Sequence, residues 1–127
     1  MLDGDADLFV YIGTYTTTDV KSEGIYICRM DPSTGALAPC SSAGGVINPS
    51  FLAVDRNLRY VICVNEVAKL DGAPGGGVSS LAVGGGGPSL GLQNRQPSCG
   101  TAPCYVCIEQ TGRFALDANY GDGTVAM

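Results

Sequence analysis

Two stretches of this chain are written on one template. Pro49-Ser50-Phe51-Leu52-Ala53-Val54-Asp55-Arg56-Asn57-Leu58-Arg59-Tyr60 leads through an apolar run to Asn65. Fifty-four positions later, Pro103-Cys104-Tyr105-Val106-Cys107-Ile108-Glu109-Gln110-Thr111-Gly112-Arg113-Phe114 leads through another to Asn119. Pro, Arg and Asn recur in register, and aromatic, apolar and acidic positions match between them. A unit of this length cannot bury both of its faces alone, so copies must stack on one another.

The content of the unit is β. Leu8-Phe9-Val10-Tyr11-Ile12-Gly13 is a β-rich run that ends in a Thr-rich loop, 14–19. Ile25 to Met30 is a second strand, and Asp31-Pro32-Ser33-Thr34-Gly35 is a turn built on Pro, Asp and Gly chemistry. Ala36-Leu37-Ala38 starts a third strand, with a loop expected from Ser41 to Ile47. In the next unit, strands are expected at 51–54, 59–64, 78–83 and 90–94. A flexible loop is expected at Gly72 to Gly77 and a turn at Gly84 to Pro88. Strands at Tyr105 to Ile108 and Phe114 to Ala118 begin the unit again, and a further strand is expected after Gly123. No segment has helical periodicity. Nineteen Gly and seven Pro suit a chain of many turns.

Repeats of this length, each of four antiparallel strands, predict an all-β chain folded as part of a β-propeller. The first blade, about 8–47, lacks its inner strand. The second spans about 48–101, and the third starts at about 102 and runs to 127. About two and a half blades are present, whereas a ring takes four to eight. The chain is therefore read as part of a longer ring. The remaining blades, or other copies meeting it at open strand edges, are its expected partners.

The bulk properties exclude several functions. A formal net charge of −5 with no basic stretch argues against nucleic acid and against anionic membrane. No segment approaches the ~20 apolar residues of a membrane span, and the acidic start, Met1 to Asp7, lacks the pattern of a signal peptide. A cytoplasmic location follows as the expectation, with the six Cys as free thiols. There is no His, so Ser-His-Asp and Cys-His catalysis and His-based metal sites are impossible within the chain. Cys99, Cys104 and Cys107 have a spacing known from iron–sulfur proteins, but no fourth Cys follows. The Gly runs at 75–77 and 84–87 lack the Lys-Ser/Thr of a phosphate loop and read as turns.

The residues also resemble a known family. Tyr11-Ile12-Gly13-Thr14-Tyr15-Thr16, Gly24-Ile25-Tyr26 with Asp31 to Leu37, Asn48 to Ala53, Val64-Asn65-Glu66, Gly100 to Cys104, and Thr111 to Phe114 with Ala118 to Gly121 are together similar to the seven-bladed propeller lactonases. Seven blades are implied by that resemblance. So is hydrolysis of a sugar lactone, 6-phospho-glucono-1,5-lactone to 6-phosphogluconate in the pentose phosphate pathway, without metal or organic cofactor. Some relatives are muconate lactonising enzymes.

Alternating strand direction should bring Thr14-Tyr15, Asn48 to Ser50, Asn65-Glu66, Ala102 to Tyr105 and Asn119-Tyr120 to one mouth of the ring's channel. Lactone opening needs a base for water and donors for an oxyanion. Glu66 is the candidate base, with Tyr105 as a second catalytic candidate. Asn65, Asn119 and Tyr120 are candidate substrate contacts. Each has a plainer reading: loop-fixing amides for Asn65 and Asn119, a solvated acid for Glu66, a packing ring for Tyr105. Arg59 and Arg113 begin strands at the opposite end and read as structural or solvated. At Tyr105 the family commonly carries His, and a phenol near pKa 10 is a poor base. A chain with Tyr there and with most blades missing is expected not to turn over a lactone alone. The alternative role is a non-catalytic propeller piece serving binding or assembly.

Overall fold

The computed structural model describes residues 7–19, 21–85 and 88–127. Twelve strands run in order: β1 (Leu8–Gly13), β2 (Ile25–Met30), β3 (Leu37–Ala43), β4 (Leu52–Val54), β5 (Tyr60–Asn65), β6 (Lys69–Leu70), β7 (Ala73–Pro74), β8 (Gly77–Val83), β9 (Leu90–Pro97), β10 (Pro103–Ile108), β11 (Ala115–Asn119) and β12 (Thr124–Ala126). Among the described residues there is no helix, and so none that could cross a membrane. Three antiparallel sheets have the orders β1-β2-β3, β4-β5-β8-β9 and β10-β11-β12, and β6-β7 is a small hairpin beside them.

The repeat survives at the level of single bonds. Asp55 and Glu109 hold the same turn in successive sheets. Asp55 Oδ1 accepts from the Arg59 and Tyr60 N–H groups at 2.5 and 2.7 Å, and Oδ2 from Asn57 N–H at 3.1 Å. Glu109 Oε1 accepts from Arg113 N–H at 2.8 Å and Oε2 from Thr111 N–H at 2.7 Å. Three residues after each acid the chain enters the left-handed region, at Leu58 (φ 56°) and Gly112 (φ 74°). Glycine takes that conformation without strain, and Leu58 holds it because the carboxylate fixes the turn.

The sheets pack face to face. Ile25 and Ala43 of the first, with Val46 of the segment after β3, meet Cys63 and Leu81 of the second, with Tyr11, Leu52 and Leu90 around them. Ile25, Val46 and Leu81, removed from water, each contribute about 1.5–3 kcal/mol. Burial pushes the Cys63 thiol up to about 12, so it stays protonated and behaves as a small hydrophobe. A Cβ at Gly13 would lie 1.9 Å from the Pro49 carbonyl oxygen, so only glycine allows β1 this close to the chain entering β4. The inner strand β10 of the third sheet lies against β4 and β5 of the second.

Three expectations change. β3 continues through Ser41–Ala43, where a loop was expected, because these residues pair with β2 after a bulge. The Gly72–Gly77 segment is not a plain loop: Ala73–Pro74 pairs with Lys69–Leu70. β9 runs to Pro97, three residues beyond the expected end. Gly86 and Gly87 of the expected 84–88 turn lie outside the described residues.

Candidate active site

The loops leaving β1 and β5 and the segment entering β4 converge. Asn48 is the hub. Its Oδ1 accepts from Thr16 N–H at 2.8 Å and Thr17 N–H at 3.1 Å. Its Nδ2 donates to Thr17 Oγ1 at 2.9 Å and to the Glu66 carbonyl at 3.1 Å. Asn48 is buried and sits at φ 41°, a conformation Asn tolerates better than most residues. One side chain thus ties the β1 loop of the first sheet to the β5 loop of the second.

That clamp sets the Glu66 carboxylate. Tyr15 Oη donates to Glu66 Oε2 at 2.8 Å, and Ser50 Oγ bonds the same oxygen. Among the described residues Oε1 accepts no bond, so it is left to water or a ligand. The bond to Glu66 is the main cause that raises the Tyr15 phenol above its ordinary value; burial and the carboxylate's charge add to it, and Ser50 opposes it. The phenol therefore stays protonated and donates at neutral pH. A charge on the Cys104 sulfur adds in the same direction, and β10 lies against β4 and β5.

Tyr105, next along β10, stacks on Phe51 with ring centroids 4.7 Å apart and planes tilted by 44°. It remains 48% exposed, so part of the ring can meet a ligand. Tyr120 is 82% exposed.

Asn65 and Asn119 lie differently. Asn65 is fully buried; its Nδ2 donates to the Ile47 carbonyl at 2.8 Å and its Oδ1 accepts from Ser79 Oγ at 2.6 Å. Asn119 is also buried, and its Nδ2 reaches the Ser98 carbonyl and Asp117 Oδ1, both at 3.0 Å. Both amides are bonded to backbone and side chains around them. Burial raises the Asp117 carboxyl above its usual range, against the Asn119 bond.

Sequence reasoning placed Tyr15 and Ser50 near the mouth without giving them a role. The signal was available in the repeat: Ser50 and Glu66 stand at the positions of Cys104 and Tyr120, so one pair of sites carries an acid and its donor in one unit and not in the next. All six cysteines are free thiols. Among the described residues no group of three or more Cys, Asp, Glu or His is arranged to hold a metal ion.

The sheets and their face-to-face stacking make the molecule a partial β-propeller. The chain belongs to the propeller lactonase family: residues 9–127 match the family described as "Lactonase, 7-bladed beta-propeller". It is 33% identical over 115 residues to a Bacillus subtilis 6-phosphogluconolactonase, covering 91% of this chain and 31% of the relative. A crystal structure of a candidate 6-phosphogluconolactonase from Bacteroides fragilis superposes with a TM-score of 0.81 at 35% identity, over 95% of this chain and 32% of that one. The periplasmic gluconolactonase of Pseudomonas aeruginosa superposes with a TM-score of 0.80 at 28% identity, over 94% and 33%. The chain therefore spans about a third of the length of these relatives.

Proposed function

We propose that this chain supplies one part of the channel mouth of a sugar lactonase, the whole ring hydrolysing 6-phospho-glucono-1,5-lactone to 6-phosphogluconate. The observation that carries the reading is the Glu66 carboxylate, held on Oε2 by Tyr15 and Ser50, with no bond to Oε1 among the described residues. The names of the relatives supply the substrate class.

In this reading Glu66 Oε1 takes a proton from water as its oxygen attacks the lactone carbonyl carbon. The tetrahedral intermediate collapses, the ring C–O bond breaks, and the departing oxygen is protonated to give the hydroxy acid. Tyr15 and Ser50 are positioning residues, since they fix the carboxylate's rotamer and need not touch substrate. Tyr105, beside Phe51, offers its exposed ring to the apolar face of the sugar rather than serving as a base, and Tyr120 lines the same mouth. Asn65 and Asn119 support the loops beneath. Donors for the phosphate and the oxyanion come from the blades this chain lacks, so the 127-residue chain alone does not turn over the lactone. Six free thiols support a reducing, cytoplasmic setting.

The test is lactone hydrolysis by a complete ring carrying these residues, for example the Bacillus subtilis relative with its matching third replaced by this sequence. Glu66→Gln is expected to lower kcat by roughly 10²–10⁴-fold with little change in KM. Unchanged kcat in Glu66→Gln, or turnover by the isolated chain, rejects the assignment.

A further inference from the structure

The far end of β5 and β11 carries a second feature that lactone hydrolysis does not use. β5 spans Tyr60–Asn65, which at the rise of an extended chain places its start about 20 Å from the Glu66 mouth. There, a cleft of about 290 Å³ opens between the second and third sheets, with Arg59, Tyr60, Ile62, Arg113 and Phe114 in its walls.

The charge arrangement is unusual for a protein with seven Lys and Arg against twelve Asp and Glu. Arg29 and Arg95 pair with Asp7 and Asp71. Arg59 and Arg113 form no ion pair among the described residues. Asp55 and Glu109, the acids of their own turns, have turned their oxygens to backbone N–H groups. Those carboxylates hold the turns and form no ion pair with the guanidinium groups, although Asp55 also lies in the cleft wall and feels the charge of Arg59. The two cations lie over rings instead: Arg59 over Tyr60 at 5.8 Å and Arg113 over Phe114 at 5.3 Å. A guanidinium on an aromatic face keeps its N–H fork free and loses less freedom when it binds an oxyanion.

We propose that this cleft binds a small phosphate monoester. A phosphomonoester carries nearly two negative charges at neutral pH and three acceptor oxygens. Two unpaired guanidinium forks match both the charge and the acceptors. The organic part lies on Ile62 and the edges of Tyr60 and Phe114. The distance to Glu66 makes this a site for a second molecule, separate from any lactone bound at the mouth. It does not depend on the lactonase reading.

The probe is phenyl phosphate, titrated into the 127-residue protein at low salt while backbone amide resonances are followed. Saturable shifts are expected at residues 57–62 and 111–115, and not at Ser50 or Glu66. The double variant Arg59→Gln/Arg113→Gln should weaken binding by at least about tenfold with its remaining spectrum unchanged. Arg59→Lys, which keeps charge but loses the fork, should fall between. Added salt should weaken binding, since the cleft is open to solvent. Equal shifts with neutral phenol, equal affinity in the double variant, or shifts centred on Glu66 each overturn the proposal.

Discussion

Tyr15 and Glu66 lie 51 residues apart in the chain and are joined by a 2.8 Å hydrogen bond from the phenol to Oε2. The bond crosses from the loop after β1 to the loop after β5, so the geometry of the carboxylate depends on how two sheets are stacked. Two phenols are raised above the ordinary value, Tyr15 chiefly by Glu66 and Tyr11 by burial. In a tyrosine titration, Glu66→Gln should bring Tyr15 back toward the ordinary range and leave Tyr11 in place. Tyr15→Phe should remove one high-titrating phenol. If the Glu66 variant leaves every phenol where it was, the bond does not form in solution.

Asn48 holds the same junction with its amide. Asn48→Gly keeps the φ of 41° available and removes only the side-chain bonds to Thr16, Thr17 and Glu66. With a net ~0.5–1.5 kcal/mol for each bond, and several lost together, the cost should be about 2–4 kcal/mol. Urea unfolding measures it, and a loss below about 0.5 kcal/mol would show that the clamp is marginal.

Asn65 and Asn119 occupy equivalent positions but differ in one partner. Asn65 Oδ1 is met by Ser79, which lies opposite Cys63 in the β5–β8 register. The corresponding position in the third sheet, opposite Asp117, is Ala126. Among the described residues Asn119 Oδ1 is buried without a partner. Ala126→Ser should supply the missing hydroxyl and stabilise the protein by about 1 kcal/mol. The same serine should add nothing in an Asn119→Ala background, and thermal unfolding of the two pairs distinguishes a restored bond from a general effect.

Glu109 sets the acid limit of the third sheet's turn. Bonds from the Thr111 hydroxyl and N–H and from Arg113 N–H pull its carboxyl down from 4.5 to about 2. A carboxyl depressed on folding adds stability above its unfolded pKa and loses it as pH falls through the folded one. Wild type should therefore lose stability between about pH 4.5 and 2, and Glu109→Gln should be less stable at pH 7 with a shallower slope over that window. Asp31, Asp55 and Asp122 are lowered by similar turn bonds, so part of the slope remains. Chemical denaturation at stepped pH reads the difference, and parallel curves would reject it.

Much of the strand layout is local and therefore legible. Apolar runs rich in Val, Ile and Tyr mark β1, β2 and β5, and the Asp-Pro and Gly-Arg-aromatic segments mark turns. One legible signal was passed over: Asp71 and Gly72 both have positive φ, 51° and 84°, the Asp-Gly pattern that closes the β6–β7 hairpin. The end of β3 was less readable, because Ser41 and Ser42 look like loop residues and become strand only by pairing with β2. At the site, the repeat pointed to Glu66 and to the segment holding Ser50, but the direction of each side chain was hidden. Asn65 and Asn119 looked available for binding until their burial was known.

The sequence alone determined the period, the strand-and-turn content and membership of the propeller lactonase family, because each rests on patterns within a few tens of residues. Only the tertiary structure decided which side chains meet. Stacking the first sheet on the second brings Tyr15 to Glu66, the pairing of β4 with β5 brings Ser50 to it, and Ile47 and Ser79 turn the Asn65 amide inward. The seating of the third against the second leaves Arg59 and Arg113 facing one cleft. Such contacts join residues far apart in the chain, and their geometry is fixed by how the sheets pack rather than by any local propensity.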